Sequence, residues 1–293
     1  MNTISANFEL AQGGVTGKDH RPLATGSQDA SACLVGPDHL IALVCDGCGS
    51  GPHSEVGAQI GARIFAQNVK KQLVLLDDSR DDKLPSAEMV LRLLNKARDG
   101  TLRLISLLSD NMDSSFSRMI DDYFLFTIIG AIIYKGAALF FSFGDGVIII
   151  NGEIIQSGSF PDNKPPYMSY HLIKDHLEAS LLPDYLTFRI HRIMPVKELN
   201  HCLLATDGLH HFMAAAGKRL PGRTELVGSI DQFWTEDRFF ANPDMVRRRL
   251  FLTNREVITV SPSSNSLHRE LGHLDDDTTL IVVRRKIIPE EAT

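Results

Sequence analysis

Aspartates stand where apolar runs end. Asp46 closes Ile41–Cys45 and opens Asp-Gly-Cys-Gly-Ser-Gly, Asp207 closes Cys202-Leu-Leu-Ala-Thr, and Asp145 closes Phe140-Phe-Ser-Phe-Gly; Asp207 and Asp145 are also followed by glycine, Gly208 and Gly146. Asp275, Asp276 and Asp277 directly precede Thr278-Thr-Leu-Ile-Val-Val, and Asp29, in Ser27-Gln28-Asp29-Ala30, precedes an earlier apolar run. A single Asp-Gly is the composition of a turn, because Asp bonds its own backbone and Gly accepts positive φ. Five carboxylate positions at strand edges pose a different problem. If the edges converge, the carboxylates repel one another, and a hard divalent cation with oxygen ligands, Mg²⁺ or Mn²⁺, resolves the repulsion. Glycine beside such a ligand lets the backbone approach, so that its carbonyl also coordinates.

The elements that would carry these residues are legible from their periodicity. Residues 31–45 read as two strands around Gly36-Pro37-Asp38, and strands are expected at 123–134, 137–143, 146–151, 153–156, Tyr185–Ile193, Cys202–Thr206 and Thr278–Arg285, with Asn151-Gly152 as a hairpin turn. Helical spacing covers Ser54 to about Val74, Ser86–Leu108 after Pro85, and stretches near 225–234 and 243–252. Strands and helices come in runs without strict alternation, which predicts an α+β fold with antiparallel sheet and the helices outside it.

The chain has 293 residues, and no Pro/Gly/Ser linker, repeat or low-complexity tract divides it, so one domain over 1–293 is expected. Its net charge of −6 gives no general footprint for nucleic acid. Four scattered cysteines (Cys33, Cys45, Cys48, Cys202) make no disulfide framework, and the first residues lack the pattern of a signal peptide, which together predict a cytoplasmic protein. Phe124–Phe143 imitates a membrane span in hydrophobicity, but Lys135-Gly136 at its centre makes it a hairpin of two strands.

The order of motifs resembles the metal-dependent protein phosphatases of the 2C type, and most of all their bacterial branch. The resemblance rests on SQDA (27–30), VCDGCGSGPHSEVGA (44–58), FSFGDG (141–146), LLATDGL (203–209) and DDTTLIVV (276–283), and covers a core of about 17–285. It implies a central sandwich of two antiparallel β-sheets flanked by α-helices on both outer faces. It also implies a dinuclear Mg²⁺/Mn²⁺ site that activates a water to hydrolyse phosphoserine or phosphothreonine in a protein substrate, with a cognate serine/threonine kinase as counterpart. Carried over by position, Asp46 bridges both ions and Gly47 offers its carbonyl. Asp207 and Asp276 complete the first ion's protein ligands, Asp29 supports the second, and Asp145 belongs to a third, more loosely held ion or merely caps a turn.

Some positions depart from the family. Eukaryotic relatives carry a general-acid histidine directly after the Asp-Gly, where this chain has Cys48; the phosphate-gripping arginine is replaced by Ala24, and Gln28 stands where many relatives carry Glu. His20, Arg21 and His53 are the candidates for gripping phosphate, each alternatively an exposed polar residue. Cys45-x-x-Cys48 has no second pair for zinc and reads as structural. Two other functions compete: a phosphatase fold kept as a non-catalytic signalling module, and a nucleotide-binding oxidoreductase. Against the latter, the glycines at 47, 49 and 51 lack the third glycine of G-x-G-x-x-G, and Asp46 would set a negative charge beside a pyrophosphate.

Overall fold

The computed structural model describes residues 3–21, 26–77, 84–112, 115–158, 160, 164–174, 185–261 and 266–286. Among them, two five-stranded antiparallel sheets stack face to face. One has the order β2 (Ala30–Val35), β3 (His39–Cys45), β4 (Ile128–Tyr134), β5 (Ala137–Phe143), β8 (Arg189–Pro195). The other has the order β1 (Phe8–Val15), β12 (Thr278–Arg285), β9 (His201–Ala205), β6 (Val147–Ile150), β7 (Glu153–Gln156).

The central strands are apolar throughout because both their faces are covered. Successive side chains of a strand point to opposite faces. Along β3, Leu40, Ala42 and Val44 meet the facing sheet, while Ile41, Leu43 and Cys45 meet α2 (Ser54–Gln72) and α3 (Ala87–Asp110), the two long helices that follow the short α1 (Ile4–Asn7) in the chain. In the second sheet, Leu204 and Ile281 point inward, while Leu203, Leu280 and Val282 point to an outer layer of short helices. That layer comprises Leu209–Ala214, Gln232–Thr235, Arg238–Ala241 and Met245–Asn254. Continuous apolar runs usually mark parallel strands under helices; here the same double burial arises in antiparallel sheets, one face on a helix layer and one on the partner sheet. This is the expected α+β sandwich.

Gly57 and Gly61 bring α2 onto the segment ahead of β4: a Cβ at Gly57 would overlap the Tyr123 carbonyl, and one at Gly61 the Phe126 ring. Phe124–Phe143 holds the β4–β5 hairpin, turned at Lys135 with φ 49°. No helix among the described residues is long and apolar enough to cross a membrane. The neighbours of β3 on both sides are antiparallel, so the glycine loop after it opens no parallel βαβ crevice for a dinucleotide.

Several elements differ from the sequence expectation. The strand expected from residue 123 begins at Ile128, because Phe116–Tyr123 forms a helix that buries Met119 and Ile120. Tyr185–Ile193 shifts to Arg189–Pro195. The helix expected at 225–234 shrinks to Gln232–Thr235, since Leu226 bridges to Arg219 and Gly228 takes φ 78°. Strand β1, the helix Leu209–Ala214, and the hairpin β10 (Val257–Ser261) and β11 (Ser266–Glu270) have no counterpart in the expectation.

Candidate active site

Antiparallel register gathers the aspartates at one end of the sandwich. Ala30 pairs with Cys45, so Asp29, just before β2, lies across from Asp46, just after β3. In the other sheet Leu280 and Val147 both pair with Ala205. The entry to β12 (Asp276, Asp277), the exit from β9 (Asp207) and the entry to β6 (Asp145) therefore share an edge. One concave site of about 160 Å³ is lined by Asp46, Gly47, Asp145, Asp207 and Asp276, together with His20.

Bonds between the two sheets hold this edge together. Thr206 is buried; its hydroxyl donates to Asp29 Oδ2 (2.8 Å) and accepts from the Thr279 N–H (3.1 Å). Asp277 accepts from Gly17 N–H at Oδ1 (2.7 Å) and from Gln28 N–H at Oδ2 (2.6 Å), so its carboxylate staples the N-terminal loop to the last strand. The Gln28 side-chain amide donates to Ser54 Oγ (2.7 Å), the Gly51 carbonyl (3.1 Å) and the Cys48 carbonyl (3.3 Å), fixing the glycine loop that follows Asp46. Gly208 is obligatory: a Cβ there would run into the Asp277 carbonyl. Thr206, Asp277 and Gln28 thus serve the site by positioning the aspartates, a role that sequence reasoning missed for all three.

The electrostatics are those of an anion cluster. Burial, and then the charges of Asp29, Asp207, Asp276 and Asp145, raise the Asp46 carboxyl well above the usual range. Asp29 is raised chiefly by burial, then by Asp277. Asp145 is pushed up to about 6 by burial and Asp207, and Asp276 rises by burial and Asp207 against the Asp277 N–H bond that lowers it. Among the described residues, Asp29 Oδ1 is buried and has no hydrogen-bond partner. An unpartnered buried carboxylate oxygen is costly, and among mutually repelling carboxylates it is what a cation ligand would look like. The donor set is all oxygen, which fits a hard divalent ion.

The phosphate-gripping candidates separate. His20 lines the site, with Nδ1 3.1 Å from Asp277 Oδ1 and Nε2 3.6 Å from Asp276 Oδ1. Arg21 points away, donating to the Thr16 carbonyl (3.5 Å). His53 caps the start of α2, stacks on Tyr123 at 4.7 Å and does not line the cavity. Ala24 lies outside the described residues. Cys48 lines the cavity with Sγ 3.1 Å from Ser50 Oγ. Tyr167, beside Cys48 in the lining of the cavity, had no motif to announce it.

The protein phosphatase 2C family profile matches residues 16–245. A comparison with curated proteins finds no match. Among solved structures, the serine-threonine phosphatase 2C from Toxoplasma gondii aligns with a TM-score of 0.55 at 15% identity, over 96% of this chain and 95% of its own. A bacterial serine phosphatase aligns with a TM-score of 0.51 at 13% identity, over 97% of this chain and 100% of its own. These likenesses show a common fold. With the profile spanning the strand-end aspartates from Asp29 to Asp207, the chain belongs to the protein phosphatase 2C family of metal-dependent phosphoprotein hydrolases.

Proposed function

We propose that the chain works as a single-domain serine/threonine protein phosphatase whose aspartate cluster holds two Mg²⁺ or Mn²⁺ ions. The observation that carries this reading is the convergence of Asp29, Asp46, Asp145, Asp207 and Asp276 from both sheets, with Asp29 Oδ1 buried and unpartnered. Asp46, Gly47, Asp207 and Asp276 would hold one ion, Asp46 and Asp29 the second, and Asp145 with Asp207 a third, looser one. Bound there, such ions supply a water of lowered pKa and neutralise charge on the phosphoryl group.

The chain's own residues do the rest. Thr206 keeps Asp29 Oδ2 occupied, which leaves Oδ1 as the oxygen free to take an ion. His20, with Nδ1 on Asp277 and Nε2 near Asp276, would hold those two carboxylates in place at the cleft. No cysteine thiolate is needed as nucleophile, since the attacking oxygen comes from water. The substrate is a phosphoprotein supplied by a serine/threonine kinase, and the protein acts in the cytoplasm. Hydrolysis of a phosphothreonine peptide with Mn²⁺, compared with a phosphotyrosine peptide, tests this reading. Rapid turnover of the former alone is expected, and no turnover of either would refute it.

A further inference from the structure

A cluster of arginines lies among the helices outside the second sheet. There a cavity of about 300 Å³ is lined by Arg223, Arg238, Arg248 and Arg249, with one carboxylate, Glu225. It shares no lining residue with the aspartate cleft. Arg223 and Glu225 come from the turn closed by the Arg219–Leu226 bridge, Arg238 from the helix Arg238–Ala241, and the other two from Met245–Asn254.

The arginines are held in different ways. Arg249 is built into the wall: its side chain is 7% exposed, Nη1 meets Glu225, and Nη2 donates to the carbonyls of Val227 (2.7 Å) and Leu226 (2.9 Å). Its Nε–H is buried and has no hydrogen-bond partner among the described residues. The hydrogen bond from Arg249, and then the charges of Arg249, Arg238 and Arg223, lower the Glu225 carboxyl below its usual range. Arg238 also pairs with Glu236 at 2.6 Å and lies over the Phe239 ring. Arg248, exposed, has no ion pair among the described residues, and it also lines the adjoining cavity of about 590 Å³ together with Arg247 and Phe251.

The balance of charge selects the ligand. Four guanidinium groups against Glu225 leave an excess of three positive charges, and two once Glu236 is counted. In a chain of net charge −6 this is a local concentration of positive charge. Planar guanidinium groups bind phosphate oxygens bidentately. We propose that this arginine-lined cavity binds a phosphate dianion, with the adjoining cavity giving room for a chain that carries it. The inference does not rest on the catalytic reading, because binding here is independent of turnover.

Equilibrium dialysis of the Mg²⁺-loaded protein with radiolabelled inorganic phosphate tests it, alongside a peptide bearing a non-hydrolysable phosphonate in place of phosphoserine. A class of site that depends on Arg248 is expected in the wild type. R248A should weaken this class about tenfold, with hydrolysis of a small aryl phosphate and the melting temperature unchanged, and R248E should abolish it. A peptide bound at least tenfold more tightly than phosphate at the R248A-sensitive site assigns the cavity to phosphorylated chains, and equal affinity assigns it to the free anion. Identical binding in wild type and both variants would overturn the proposal.

Discussion

Asp145 gives the sharpest separation between a turn residue and a member of the cation site. Its carboxyl is raised from 3.8 to about 6 by burial and the Asp207 charge. In the metal-free protein at pH 7.5, above the folded value, the group is ionised in both folded and unfolded states, and its ionised form is disfavoured by folding. By linkage that costs about 3 kcal/mol before screening, and about 1–2 kcal/mol after discounting for the partly exposed position. The cost is absent below about pH 4, where the carboxyl is protonated in both states, and complete above about pH 6. Asp145→Asn keeps the shape and removes the charge. It should raise the melting temperature of chelator-treated protein by about 2–5 °C at pH 7.5, and the gain should shrink as the pH falls through 6 towards 4. With saturating Mn²⁺ the gain should vanish while kcat falls. Scanning calorimetry with and without Mn²⁺, beside kcat on an aryl phosphate, reads all of this. A lower melting temperature in metal-free protein at pH 7.5, with kcat unchanged, would show that Asp145 only caps the turn into β6 and would refute the reasoning.

Other outcomes follow from the same geometry. Asp46→Ala should reduce kcat by at least about a thousandfold, more than Asp207→Ala or Asp276→Ala, because four other carboxylates act on it and it faces both proposed ions; steady-state kinetics at saturating Mn²⁺ ranks them. Cys48→Ser should retain most activity, since its thiol contacts Ser50 and no step uses it; loss of activity on alkylating that thiol, together with an inactive Cys48→Ser, would indicate a cysteine mechanism. Gly208→Ala should lower stability by about 2–4 kcal/mol in denaturant titration, because its Cβ meets the Asp277 carbonyl and main chain must shift.

Much of this architecture was readable from sequence because burial leaves a simple mark. β3, β4 and β5 are apolar on both faces, and the last strand begins at Thr278 as its composition predicts. β1 was hidden because Gln12, Gly13 and Gly14 interrupt its pattern. Gly13 is there for close packing, since a Cβ would meet the Arg247 backbone. The hairpin β10–β11 exposes Ile258, Val260 and Leu267, so neither face carries the alternation that burial imposes. The aspartates announced themselves by standing at strand ends. Their supports did not: Thr206, Asp277 and Gln28 act through bonds between segments 177–260 residues apart, or across the 20–26 residues to the glycine loop. His20 and Arg21 are adjacent in sequence, and only the path of the chain sends one into the cleft and the other to Thr16.

Whether these carboxylates jointly hold catalytic cations is decided by Mn²⁺ titration of chelator-stripped protein, with binding and phosphothreonine-peptide hydrolysis read on the same samples. At least two ions should bind per chain in the wild type, activity should rise in step with occupancy, and Asp46→Asn should lose both while remaining folded. Full activity after exhaustive chelation, or unaltered Mn²⁺ stoichiometry in Asp46→Asn, would contradict such a site.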